Sequence, residues 1–411
     1  MRRRPGLMAL AGLVLLAALL RIVAIDLTDA TAAPAEENRL IARNLASGRG
    51  FTFTEFGVTG PTAIRGPAYP MLLAIIGPDR VRLILTINVV AGALSVIVAA
   101  LLMQRLLSPL PANRGSEPEA FGAKWATPAW IAAALFAVWP TQVYTATLTQ
   151  GLTLAVLLTL ACLTLAWRRT PVSLIVGGLL AGLAALTEPA VALPLLLCAV
   201  VLGWRRHWPD ALLFVGTAMV LIAPWLYRNS VIFGRPMPIT SNFWRDAYLG
   251  NGPNATGSVH IVVGSMGIDR LIKQTRIDAL SPEEYDRLKR PEPDRVRLFR
   301  DQTLQWVRDQ PLSYLRLCGR RLLNAATGSW YHPIASASGC CLPFVTWVGI
   351  WILMPRYSGT VRSVVIAFAA GIIAPTVFVV SSARLMPILD IATGLAAAYV
   401  ISIDLRRKSV D

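Results

Sequence analysis

"MRRRPGLMALAGLVLLAALLRIVAID", residues 1–26, sets three arginines ahead of one uninterrupted apolar run. That is the outline of a signal peptide. The small-residue stretch that follows, "ATAAPA" at 30–35, stands too far beyond the apolar core for easy cleavage. The segment therefore reads as an uncleaved transmembrane helix, and the rest of the chain agrees with it. Of 411 residues, 55% are hydrophobic and only 15% charged, with a mean hydropathy of +0.55. A soluble core of this size has no use for so much apolar surface. In lipid the backbone must satisfy its own hydrogen bonds, which leaves helices or closed barrels, and apolar runs of this length are helical.

Apolar segments fall at 6–25, 83–104, 126–146, 148–167, 172–187, 189–204, 210–227, 341–355, 361–381 and 385–403. The fold class expected is an all-α polytopic membrane protein of about ten transmembrane helices. A net charge of +16 would elsewhere point to nucleic acid. Here much of it sits in short clusters between apolar segments: Arg2–Arg4, Arg105 to Lys124, Arg168–Arg169, Arg205–Arg206, Arg356 with Arg362, and Arg406–Lys408. The alternate connections near 147 and 188 carry almost none. By the positive-inside rule the clusters face the cytoplasm, both termini with them, and no nucleic-acid partner is implied.

Two long segments, 27–82 and 228–340, remain on the outer side. The expected organisation is residues 1–227 with seven helices and the first outer loop, 228–340 as the second outer loop region, and 341–411 with three helices and a cytoplasmic tail. In the first loop, "EENRLIARNLASGRGFTF" (36–53) begins as an amphipathic helix that Gly48 and Gly50 stop. "PAYPMLLAII" (67–76) is too short to span and lies in the interface. In the second, Ser281 caps a helix with Pro282 in its first turn and Glu283 and Glu284 where the helix dipole favours carboxylates. Two amphipathic helices follow, broken at Pro311, with a basic face suited to anionic lipid headgroups.

The three histidines are scattered and no cysteine spacing suggests zinc. Cys162 and Cys198 lie in apolar segments as packing residues; Cys340 or Cys341 could pair with Cys318 in an oxidising space. No cofactor or metal is implied, and the pattern leaves room for a loosely bound divalent cation.

The pattern resembles the bacterial polyprenyl-phosphate-sugar-dependent glycosyltransferases of the GT-C fold, the group containing protein mannosyltransferases and the lipid A aminoarabinose transferase. The resemblance runs along nearly the whole chain. It is carried by "ARNLASGRGF" (42–51) and "IRGPAYPMLLA" (64–74), then "GGLLAGLAALTEPA" (177–190). "APWLYRNSVIFGRPMPITSNFWRDAYLGNGPNATG" (223–257) and "RLMPILDIATGLAAAY" (384–399) complete it. It implies an enzyme of the bacterial inner (plasma) membrane. Such an enzyme transfers a sugar, with inversion, from a polyprenyl-phosphate donor to a glycan, lipid or protein acceptor on the outer face, with membrane lipids around it.

In that family an acidic residue of the first loop is general base, and basic residues bind the donor phosphate. Carried over, Arg65 precedes the proline-rich interfacial helix and is the first candidate for phosphate contact, with Arg228 and Arg384 as further candidates and Arg21 a weaker one. A guanidinium suits the role because its planar fork pairs with phosphate oxygens two at a time. The family's aspartate position is Pro34 here, which leaves Glu36 and Glu37 as candidates for the base and Asp29 as an outlier. Gln150 stands where the family has an acid and Glu188 where it has arginine, an exchange of partners or a sign of changed activity. Asp390, inside the last helix, is a functional candidate by its depth. Together with Tyr69, these three are supporting positions. Two other classes stay open: a non-catalytic member of the fold that binds lipid or a partner, and a transporter or flippase. Transport would put its important charges at membrane depth, and no repeat pair favours it.

Overall fold

The computed structural model describes residues 5–32, 35–107, 127–168, 170–205, 207–253, 255–257, 277, 280–327, 359–379 and 386–407. Over these it is helical apart from one hairpin. The elements are α1 (Pro5–Leu27), α2 (Glu37–Ala46), β1 (Thr52–Glu55), β2 (Val58–Pro61), α3 (Ala68–Ile76) and α4 (Val81–Leu107). Then come α5 (Thr127–Val138), α6 (Pro140–Thr145), α7 (Leu152–Ala166), α8 (Pro171–Thr187), α9 (Ala192–Arg205) and α10 (Trp208–Phe233). The second loop supplies α11 (Asn242–Gly250), α12 (Pro282–Asp286), α13 (Glu292–Asp309) and α14 (Pro311–Thr327), and α15 (Gly359–Phe378) and α16 (Met386–Arg407) close the chain.

Four helices, α1, α4, α10 and α15, are long and apolar enough to cross a membrane. At 1.5 Å per residue, about 20 residues reach across the hydrocarbon layer. Shorter apolar helices pack among them: α4 lies against α1, α5 and α7, α8 against α7 and α10, and α15 against α9 and α16. One large apolar core joins them, from Ala17 in α1 to Tyr399 in α16. The expected eighth helix, 341–355, and the cysteines at 340 and 341 lie outside the described residues.

The α8–α10 contact shows how such helices come close. Gly178 and Gly182 are four apart, so they share one face of α8. A Cβ at Gly178 would stand 2.3 Å from the Phe214 carbonyl, and one at Gly182 2.7 Å from that of Ala218. Small residues spaced this way let helix backbones touch where lipid gives no hydrophobic drive for association. Gly178→Ala therefore destabilises the bundle by about 1 to 3 kcal/mol, the usual cost of overpacking. The thermal midpoint in detergent should fall, and an unchanged midpoint would mean that the two helices separate freely.

The segment 126–146, expected as one helix, is two. Pro140 has no N–H to continue the ladder, and its ring would collide with a carbonyl one turn back. The carbonyls of Phe136 and Ala137 are left over and Arg21 takes them, at 3.2 and 3.3 Å, with a third bond to Ala17 in its own helix at 2.9 Å. The Arg21 side chain is fully buried. It caps a broken helix inside the bundle, which is a different task from meeting a donor phosphate.

The first loop folds as expected at both ends. Gly48 and Gly50, both at positive φ, follow the end of α2, and α3 is a nine-residue apolar helix. Between them lies a feature the sequence reading missed, the antiparallel hairpin β1–β2 with Thr52 opposite Pro61. Its two turn residues, Phe56 and Gly57, have φ of +53° and +75°, as tight hairpin turns require. Arg39 and Arg43 tie α2 to Asp79 beyond α3, at 3.6 and 2.6 Å. In the second loop Ser281 is the cap as expected, Glu284 completes a capping box with it, and the break between α13 and α14 falls at Gln310–Pro311. Helix α10 runs six residues beyond the expected boundary at 227, so Arg228 lies within it.

Candidate functional site

The backbone of "IRGP" is laid directly on the end of α8. A Cβ at Gly66 would stand 2.2 Å from the Leu186 carbonyl, so only glycine permits this approach. The contact brings two of the sequence motifs together: Arg65 enters from one side, and Glu188, the C-cap of α8, from the other.

Arg65 is largely enclosed, its side chain 15% exposed, and donates through Nη2 to Glu37 Oε2 at 3.1 Å. Its Nε is buried with no partner. Burial alone would lower the guanidinium pKa, but the charges of Glu37, Glu188 and Asp246 outweigh it and hold the pKa above the ordinary arginine value. Arg65 is therefore a permanent cation among carboxylates. Asp246 belongs to α11, an element the sequence reading did not anticipate.

Glu36 and Glu37 are neighbours with different surroundings. Glu37 opens α2 and faces Arg65. Glu36 is the N-cap of the same helix, yet its side chain makes no capping bond. Its Oε2 is buried without a partner. Tyr69, the second residue of α3, is buried with a free hydroxyl, and its ring packs against Gly151 at the start of α7. Burial first, and the Glu36 charge second, push the Tyr69 hydroxyl well above the ordinary tyrosine value, so it stays protonated. The Glu36 carboxylate, with one oxygen unpartnered, thus stands next to Glu37 in sequence and near enough to the protonated Tyr69 phenol for its charge to act there. Such a carboxylate can accept a proton from an incoming hydroxyl.

The other sequence candidates are placed elsewhere. The Arg228 guanidinium donates to the Thr62 carbonyl at 2.5 Å, to Phe51 at 3.2 Å and to Asn229 Oδ1 at 3.0 Å. It also lies 4.5 Å from the ring centroid of Trp225 and 5.3 Å from that of Phe51. These contacts make it a strut under the first loop. Asp390 is buried between α6 and α16, where it accepts the Thr141 hydroxyl; no arginine partners it among the described residues. Gln142 donates to Pro387 at 2.6 Å beside it. Gln150 is buried immediately before Gly151, on which Tyr69 packs. Arg384 lies outside the described residues, and the described residues contain no cluster of side chains able to hold a metal.

Besides Asp246, two acids escaped the sequence reading. Glu55, in β1, bridges Arg245 at 3.2 Å and Arg295 at 2.9 Å. Glu292, the first residue of α13, is buried under the segment that precedes Arg65. No local motif marks either one, because their partners are distant in sequence and most come from the other loop.

No family model matches the chain, and no curated protein matches it. Among solved structures it is similar to that of ArnT from Cupriavidus metallidurans bound to undecaprenyl phosphate, with 13% sequence identity and a TM-score of 0.43. The match covers 95% of this chain and 77% of that one. At that distance the likeness carries no functional conclusion.

Proposed function

We propose that the chain is an integral membrane glycosyltransferase of the GT-C type. It moves one sugar from a polyprenyl-phosphate donor to an acceptor at the outer face of a bacterial plasma membrane, with both termini cytoplasmic. The observation that carries this reading is the unpartnered Oε2 of Glu36 beside the Glu37–Arg65 pair. Glu36 takes the proton of an acceptor hydroxyl. The hydroxyl oxygen then bonds to the anomeric carbon as the carbon–oxygen bond to phosphate breaks, and the electron pair leaves on the phosphate. Arg65 offsets the charge gathering there, as a preorganised cation does in a site that excludes water. Glu37 holds the guanidinium in place. Tyr69 walls the site, Glu188 adds its charge beside Arg65, and Gln150 and, at a distance between α6 and α16, Asp390 remain supporting candidates. Arg228 acts through the loop it carries, and Arg384 remains a further candidate for the phosphate.

The donor's isoprenoid tail stays in lipid while its headgroup lies where the interfacial helix α3 begins, which suits a site built between a loop and helix ends. The acceptor is a glycan, a lipid or a protein, and the mechanism needs no cofactor.

One observation favours a second reading, a non-catalytic lipid-binding or scaffold protein of the same fold: the three acids around Arg65 compete with a phosphate for it. A panel of labelled polyprenyl-phosphate sugars, offered with a cell-envelope extract to the protein in lipid, separates the two. Transfer of label from one donor is expected. Binding of polyprenyl phosphate with no transfer from any donor would leave the scaffold reading in its place.

A further inference from the structure

Thr62 and Ala63 stand immediately before Ile64 and Arg65, and their placement is set from the second loop. Glu292 Oε2 accepts the Thr62 hydroxyl at 2.5 Å, and Oε1 accepts the Ala63 N–H at 3.1 Å and the Ser241 hydroxyl at 2.6 Å. The same segment is tied twice more: the Ser241 N–H donates to the Ala63 carbonyl at 2.8 Å, and Arg228 to the Thr62 carbonyl at 2.5 Å. The Ile64 N–H in turn donates to Thr62 Oγ1 at 3.0 Å, which carries the constraint one residue closer to Arg65. Thr62, Ala63 and Ile64 are all buried.

Glu292 lies 229 residues from Ala63 in sequence and opens an 18-residue helix, whose dipole favours a carboxylate at that end. As a mere fastener it is a poor choice, since burying an ionised carboxylate costs solvation that an apolar residue would not lose. What a carboxylate supplies here is two directed bonds to one backbone segment and a third to Ser241, whose own N–H holds the Ala63 carbonyl. We propose that Glu292 is a positioning residue that holds Arg65 where it meets the donor phosphate, so that the second outer loop sets the geometry of the first. This assignment rests on the functional reading above, in which Arg65 binds that phosphate.

A double-mutant cycle on the affinity for a polyprenyl monophosphate tests it. Wild type, Arg65→Ala, Glu292→Ala and the double variant are compared in lipid, with thermal midpoints recorded alongside. If Glu292 acts through Arg65, each single substitution weakens binding by about fivefold or more, and the double is no weaker than Arg65→Ala alone. Glu292→Gln recovers most of the affinity, because its amide oxygen still accepts from Ala63 and Ser241 while Thr62 turns to accept. Should Glu292→Ala not fold, Thr62→Val, which removes the 2.5 Å bond, takes its place in the cycle. Losses that multiply in the double variant would overturn the assignment, since Glu292 would then support the fold without acting through Arg65. A Glu292→Ala protein that binds as tightly as wild type overturns it too. If Arg65→Ala itself leaves binding intact, the functional reading fails first, and the assignment with it.

Discussion

Glu36→Gln lowers the rate of sugar transfer by about a hundredfold to ten-thousandfold, the span over which a positioned general base contributes. The amide has the same size and shape but cannot take the acceptor's proton. Because Glu36 Oε2 has no partner in the protein, the substitution breaks no bond at that oxygen. Both the thermal midpoint and the affinity for polyprenyl phosphate should therefore stay at wild-type values. The neighbouring Glu37→Gln gives a different pattern. It loses the charge opposite Arg65, so donor affinity changes along with rate. Measuring kcat, polyprenyl phosphate Kd and thermal midpoint on the same preparations distinguishes the two. A Glu36→Gln enzyme within a few fold of wild type would remove Glu36 from the reaction.

Arg65→Ala costs about a hundredfold to a thousandfold in kcat, the measured scale for removing one donor that stabilises a developing negative charge. Here the effect compounds. Without the guanidinium, the fields of Glu37, Glu188 and Asp246 are unbalanced, and a phosphate entering the site meets three like charges. The same imbalance destabilises the fold, since removing one partner of an enclosed pair leaves the other charge uncompensated. Arg65→Lys separates the two effects. It keeps the charge and hence the midpoint, but loses the planar fork that pairs with two phosphate oxygens. Its affinity for polyprenyl phosphate should lie between wild type and Arg65→Ala, with the midpoint near wild type. Affinity unchanged in both variants would mean that the phosphate is bound by other residues.

The apolar segments were legible in the sequence because a membrane demands long runs of one kind, and α1, α4, α10 and α15 answer to that demand. The interfacial helix α3 and the Ser281 cap were legible because each rests on residues within a few positions of one another. Pro140 was visible, yet the break it makes was not, since the compensating Arg21 comes from a helix 115 residues away. The hairpin left only a faint trace in "TFTEFGVTGP", where the alternation of β1 is short and β2 ends in glycine and proline.

The site divides in the same way. Arg65 and the pair Glu36–Glu37 could be named from a motif. Which glutamate does what could not, because Glu36 is the extended N-cap and Glu37 the first helical residue, and only the fold decides which meets arginine. The exchange of Gln150 for an acid and Glu188 for arginine looked like two departures. With Glu188 acting on Arg65 across the Gly66 contact, the second departure acquires a physical meaning. Glu292 left no trace, because its partners are far from it in sequence, Thr62 and Ala63 on the other loop and Ser241 51 residues away.

The central claim is that Glu36 acts as a base in a single displacement, and the anomeric configuration of the product tests it most directly. A donor of known configuration, isotopically labelled at the anomeric carbon, would be followed through one turnover by NMR, with the protein examined in parallel by intact mass. The account predicts one kinetic phase, an inverted product, free polyprenyl phosphate and no sugar bound to protein. Retained configuration, or a sugar–protein adduct on Glu36, would contradict it and make that carboxylate the nucleophile.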